Sequence, residues 1–330
     1  MRILVTGGGG FLGTAICLQL ADAGHEVIAY QRSSADHLAG RGISSISGDI
    51  TDLSTLSAAA RECDAIIHTA GKAGVWGPRK DYQRINVEGT SVVIQCCRNL
   101  GITHLVHTSS PSVVHAGGDI IGANESLPIA DHFSAPYPES KALAEKIVIA
   151  SNRDGLQTVA LRPHLIWGPG DPHILPRLAS KVRRGSLALP GADKLIDTIY
   201  VENAARAHVL ALNELTGTAK CAGKPYFVTN NEPLPQGEII QRLLAAIGIE
   251  VKIRSLPTAL ALAAGTLCEY SWRLLPLAGE PPVTRFALEQ LGTAHWFDTS
   301  AAERDFSYIP EISIEQGLKK LTVGACFARD

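Results

Sequence analysis

Tyr137 and Lys141 stand four residues apart in the run Tyr137-Pro138-Glu139-Ser140-Lys141. Proline is tolerated in a first helical turn, so a helix is expected to start here and to project both side chains from one face. A phenol with a pKa of about 10 is a poor acid–base group at neutral pH. A neighbouring ammonium stabilises the phenolate and brings it into range. The plain alternative is a half-buried tyrosine beside a surface lysine. Thr108-Ser109-Ser110-Pro111-Ser112 closes a short apolar run. Open parallel sheets bind ligands outside the carboxyl ends of their strands, so a serine hydroxyl there can reach a reacting oxygen. Serine-rich strand ends also make simple turns.

Thr6-Gly7-Gly8-Gly9-Gly10-Phe11-Leu12-Gly13 follows the first apolar run and opens a helical pattern. Gly7 and Gly10 let the backbone turn tightly and approach a pyrophosphate, and Gly13 lets helix and strand pack closely. The phosphates then lie over free N–H groups at the helix N-terminus. Glycine runs also make plain turns, but the strand-before, helix-after context favours a cofactor loop. The next β-rich run ends Ala29-Tyr30-Gln31-Arg32-Ser33-Ser34, without the carboxylate that bonds an NAD ribose. Arg32, helped by the hydroxyls of Ser33 and Ser34, can meet a 2′-phosphate, which points to NADP(H). A solvated surface arginine is the other reading. Asp49 and Ile50 suit the adenine edge and face, although Asp49 could equally cap the helix that begins near Asp52.

Elements in alternation must hold these groups. Arg2–Thr6, Glu26–Gln31, Ile43–Ser47, Ala65–His68, Thr103–Thr108 and Thr158–Arg162 read as strands. Phe11–Ala23, Leu53–Glu62, Asp81–Leu100 and Ser140–Ala150 read as helices between them. Strict alternation implies an α/β fold, a Rossmann-like doubly wound parallel sheet. After Gly168-Pro169-Gly170-Asp171 prolines cluster and helical stretches dominate, so a smaller, mostly helical C-terminal substrate region is expected. The division is 1–171 for cofactor binding, with 197–230 returning to it, and 172–196 with 231–330 for substrate.

Composition narrows the function. The 330 residues carry 45% hydrophobic and 19% charged side chains, which excludes wholesale disorder. A formal net charge of −2 gives no basic excess for nucleic acid. Seven scattered cysteines, none spaced C-x-x-C, argue against a disulfide framework or zinc site and for a reducing compartment. The histidines form no metal-ligand pair on an evident helix, so no metal is expected. Neither a signal peptide nor a membrane span is expected, so the chain reads as cytoplasmic.

At this length of argument the chain resembles the extended short-chain dehydrogenase/reductase superfamily. The landmarks fall in family order: TGGGGFLG at 6–13, GDITD at 48–52, HTAGKAG at 68–74, Asn86 in RINVEGT, TSSPSV at 108–113, YPESK at 137–141, LRPHLIWGPGD at 161–171 and IYVENAARAH at 199–208. The resemblance implies Tyr137 as general acid/base, Lys141 on the nicotinamide ribose and lowering the tyrosine pKa, and Ser110 on the substrate oxygen. It implies a structural role for Asn86. It further implies cofactor contacts at Phe11, Leu12, Thr69, Ala70 and Pro163, substrate contacts at Lys72, Trp76, Ser112 and His164, and a homodimer.

Ser110-Pro111, Lys72-Ala73-Gly74-Val75-Trp76-Gly77 and the stretch from Gly279 to Phe286 are similar to the 3β-hydroxysteroid and sterol-4-carboxylate dehydrogenase branch. Within it, KAGxWG and LRPxLIWGPGD are most similar to the bacterial 2-alkyl-3-oxoalkanoate reductases of long-chain olefin biosynthesis. The resemblance implies a lipid-like oxo or hydroxy acid as substrate, and other enzymes of such a pathway as partners. Thr258–Leu277, apolar and interrupted by Glu269 and Arg273, could line a lipid-sized pocket, rest on a membrane surface, or form an ordinary core helix. The competing readings are a nucleotide-sugar epimerase and a non-catalytic NADP sensor or scaffold. The missing ribose carboxylate disfavours the first, and the retained Tyr–Lys pair disfavours the second.

Overall fold

The computed structural model describes residues 1–182, 185–275, 277 and 279–327; Pro276 in the apolar stretch and the Cys326 side chain lie outside the description. Seven parallel strands form the main sheet: β1 (Arg2–Thr6), β2 (Glu26–Gln31), β3 (Ser44–Ser47), β4 (Ala65–His68), β5 (His104–Thr108), β6 (Gln157–Pro163) and β7 (Lys224–Val228). Their order is β7-β6-β5-β4-β1-β2-β3. β1 therefore lies between β4 and β2, where the winding reverses and a crevice opens at the carboxyl edge.

Alternation along β1 feeds two cores, because successive strand side chains point to opposite faces. Ile3 and Val5 join Ile16 and Leu20 of α1 (Phe11–Asp22) on one face. Ala204 and Leu212 of a later helix, Val201–Thr216, complete that layer. Leu4 joins Leu56 of α2 (Leu53–Ala59) and Val93 of α3 (Gly89–Leu100) on the other. Burial on both faces explains why these strands read as unbroken apolar runs.

Two helices differ from expectation in ways that shape the site. The stretch expected as one helix from Asp81 to Leu100 is interrupted by a π-helical turn over Gln83–Glu88, which carries Asn86. Such turns are rare and recur at functional sites. The helix expected to start in the Tyr137–Lys141 run is α4 (Pro136–Ala150), which reaches back past the Ser140–Ala150 stretch because Pro136 and Pro138 both fall in the first turn, where no N–H is needed.

The C-terminal region is less purely helical than expected. Leu234–Pro235, Leu195–Ile196, His295–Phe297 and Ile120–Ala123 form a small mixed sheet, and Ser186–Pro190 pairs with Lys252–Leu256. Strands of two to five residues are too short to show a period. Residues 224–228 lie beside β6 in the main sheet. α5, as we label Thr258–Leu274, buries only Ala261 and Gly265, so it is not a core helix. Among the described residues no helix is long and apolar enough to cross a membrane.

Candidate active site

The glycine loop is built at contact distance. Gly7 has φ +71°, and a Cβ there would lie 2.9 Å from both Ala70 N and Thr69 Oγ1. A Cβ on Gly13 would lie 2.0 Å from the Gly7 carbonyl, so only glycine lets α1 approach its own loop this closely. Gly10 caps α1 without any side-chain hydrogen bond, which leaves the first-turn N–H groups, from Phe11 and Leu12 onward, open to an anion. Thr69 Oγ1 donates to Thr6 O at 2.7 Å and joins the two strand ends across the crevice. This cradle fits a nicotinamide dinucleotide, with Thr69 and Ala70 closing one wall and Pro163 buried at the end of β6.

At the end of β2, Gln31 occupies the place where a ribose carboxylate would stand. Its Oε1 accepts from Gly9 N at 3.0 Å and its Nε2 donates to Ser45 at 2.8 Å. Sequence reasoning missed that role, although the residue sat in plain view. Arg32 and Ser33 are exposed just beyond, and among the described residues Arg32 has no ion-pair or hydrogen-bond partner. Asp49 does not cap α2; Asp52 does, accepting from Ser54 N at 2.9 Å and Thr55 N at 3.3 Å. Asp49 instead binds Thr51 N and Oγ1 and meets Arg84, and these contacts hold its carboxyl below the usual range. Ile50 is buried against Gly89.

Ser110, Ser112 and Tyr137 come together at the carboxyl edge. Ser110 caps the short turn Pro111–Val114, with its Oγ accepting from Ser112 N at 3.2 Å and lying 2.9 Å from Ser112 Oγ. The Ser110 hydroxyl stands beside the Tyr137 phenol; burial pushes that phenol above its ordinary pKa and Ser110 partly offsets the rise. Lys141 is buried one turn further along α4. Its Nζ donates to the Thr108 carbonyl and lies 3.4 Å from His107 Nε2. Burial brings its pKa down to about 8, against the opposing charge of Glu145. The ammonium is turned to the end of β5, one helical turn from the phenol.

Asn86 ties the walls together. Its Oδ1 accepts from Lys72 N at 2.7 Å, and its Nδ2 donates to Lys72 O at 3.0 Å and Ser140 Oγ at 2.8 Å. Lys72 Nζ sits 3.8 Å from Asp81 and over the Tyr82 ring. Trp76 lies under the Arg273 guanidinium of α5, 5.7 Å from the ring centre. His164 is buried edge-on to His295 and Phe297, and burial with these neighbours holds its pKa well below the ordinary value. It is therefore a neutral aromatic wall. Among the described residues no group of three or more His, Cys, Asp or Glu could hold a metal ion.

Sequence reasoning also missed the supports beneath α4. Glu145 takes a two-pronged bond from Arg162, at 2.9 Å and 2.6 Å, and a third from Ser109. His68, His107 and His208 cluster around the same strand ends. These residues share no spacing that a single sequence could reveal.

A phenol and a serine hydroxyl side by side at a dinucleotide-shaped crevice can hold a carbonyl or alcohol oxygen and move its proton. With this fold, that defines an oxidoreductase of the short-chain dehydrogenase/reductase class, acting between CH–OH and C=O. The chain belongs to the 3-beta hydroxysteroid dehydrogenase/isomerase family, whose model matches residues 4–258. It is 48% identical to a 2-alkyl-3-oxoalkanoate reductase of Stenotrophomonas maltophilia, over 97% of this chain and 98% of that one. A 2-alkyl-3-oxoalkanoate reductase of Shewanella oneidensis is 46% identical over 96% of this chain and 84% of its own length. Among solved structures, a dTDP-glucose 4,6-dehydratase from Streptomyces venezuelae, with NAD bound, superposes with a TM-score of 0.77 at 24% identity, covering 100% of this chain and 98% of that one. That likeness carries the fold alone.

Proposed function

We propose that the protein reduces the ketone of a 2-alkyl-3-oxoalkanoic acid to the 3-hydroxy acid with NADPH, as a step in making long-chain olefins. The observation that carries the reading is the neighbouring Ser110 and Tyr137 hydroxyls at the crevice, at the end of β5 and the start of α4. Ser110 donates to the ketone oxygen, and Tyr137 passes its proton to that oxygen as negative charge develops there. When bound, the reduced nicotinamide supplies the hydride that saturates C3. The ammonium of Lys141, one helical turn away, is the positive charge available to the tyrosinate left behind.

The names of the Stenotrophomonas maltophilia and Shewanella oneidensis relatives support the substrate. NADPH is supported by Gln31 in place of an acid and by the free Arg32. For the carboxylate, Arg79 and Arg177 are each engaged by a glutamate, whereas Lys72 holds Asp81 only at 3.8 Å. Lys72 is thus the cation freest to turn to substrate. Trp76, His164 and Ser112 supply the adjoining apolar and hydroxyl surface.

The test is a panel of freshly made 2-alkyl-3-oxo acids, 3-ketosteroids and UDP-sugars, each with NADPH and NADH, followed at 340 nm. Oxidation of NADPH by the oxo acids is expected, with efficiency rising with chain length. Arg32→Asp should shift the preference toward NADH roughly tenfold to hundredfold, the worth of one charge-assisted bond. Faster turnover of a ketosteroid or sugar nucleotide, or equal use of both cofactors by the wild type, would defeat the corresponding part.

A further inference from the structure

The active-site helix meets β5 at an ammonium held by a histidine. Lys141 Nζ is buried, donates to Thr108 O, and lies 3.4 Å from His107 Nε2. An ammonium has three N–H donors and no acceptor, so His107 Nε2 must receive and the ring must carry its proton on Nδ1. Among the described residues Nδ1 has no partner. A buried polar atom left unpaired is uncommon and asks for a reason.

The surroundings limit what that reason is. His68 on β4 has its ring centre 5.2 Å from that of His107, and both its nitrogens are engaged, by Thr6 at 2.7 Å and Thr90 at 3.0 Å. His208, on Val201–Thr216, is bonded to Thr108 Oγ1 at 2.8 Å and Ala204 O at 2.7 Å. Burial holds His68 down to about 3, His208 to about 4 and His107 well below the ordinary value, so all three rings are neutral at pH 7. Glu145 on α4 is committed to Arg162 on β6, and Tyr137 stands beside Ser110. The acceptors that steady the Lys141 ammonium are thus the Thr108 carbonyl and the His107 ring.

We propose that His107 is a positioning residue, whose Nε2 anchors the Lys141 ammonium at the end of β5 and keeps it charged at the foot of the active-site helix. The inference rests on Lys141 being the active-site lysine of the function proposed above, but not on the identity of the ketone. Its role is to accept a hydrogen bond; it need not transfer a proton.

The experiment titrates Lys141 in cofactor-free protein carrying ¹³C-labelled lysine, in the wild type, His107→Phe and His107→Gln. Losing a charge-assisted acceptor should lower the Lys141 midpoint in His107→Phe by about one to two pH units. Glutamine offers an acceptor oxygen but cannot relay a proton, so His107→Gln should stay near the wild-type midpoint. The basic limb of the kcat/KM profile should move with the titration in each variant. In the wild type, ¹⁵N imidazole shifts at pH 7 should place the His107 proton on Nδ1; this measurement stands even if His107→Phe does not fold. An unchanged midpoint in His107→Phe, a His107→Gln as shifted as His107→Phe, or a proton on Nε2 would overturn the proposal. Failure of the ketone panel with this titration intact would remove the substrate assignment only.

Discussion

Under α4, the carboxylate of Glu145 is clamped by Arg162 and Ser109 with both charged side chains only 2% exposed. On α5, Leu260, Leu267 and Leu274 turn outward at 68%, 69% and 80% exposure. One helix anchors every polar group it brings to the chemistry; the other rests on α5's neighbour Arg285–Gly292 through Gly265 and Leu288 and leaves an apolar face uncovered. Proton transfer tolerates little error in position, whereas a helix that buries only Ala261 and Gly265 is held by few contacts. The two helices should therefore answer mutation very differently.

The largest effect is expected at the phenol. Tyr137→Phe removes the proton donor and keeps the ring, so turnover should fall by ~10²–10⁴ while circular dichroism and the urea midpoint hold. A variant keeping most of its activity would mean that α4 does not carry the acid. Next comes Glu145→Ala, which strands a buried guanidinium whose Nη1 already has no partner among the described residues. Urea unfolding should show a loss of about 3–5 kcal/mol; a loss below 1 would place the rigidity of this region elsewhere. The smallest effect is expected on α5, where Leu267→Lys should change stability by no more than about 0.5 kcal/mol. A large loss there would show that the outer face is covered in solution and would erase the contrast.

Much of the cofactor half was legible before any coordinates. The glycines of Gly7–Gly13 announce themselves because backbone proximity is a local demand that only one residue type meets. The apolar runs of β1, β2 and β4 were equally plain, since strands buried on both faces carry few polar positions to confuse them. Asp49 reads in the sequence as a possible cap of α2, whereas Asp52 caps it; both are acids near the same turn and only backbone angles separate them. The π turn at Gln83–Glu88 left no mark on a helical pattern that continues on either side.

By itself, then, the sequence determined the doubly wound sheet, the cofactor loop and the Tyr137–Lys141 spacing, because each is set by contacts within a few residues or by short apolar runs alternating with helical segments. Tertiary structure alone decided that Gln31 reaches back to Gly9, that Glu145 meets Arg162, that Lys141 turns to His107 and that α5 faces outward. Those pairings join residues from different strands and helices. Their energies come from burial, a property that a side chain acquires only when the rest of the chain has closed around it.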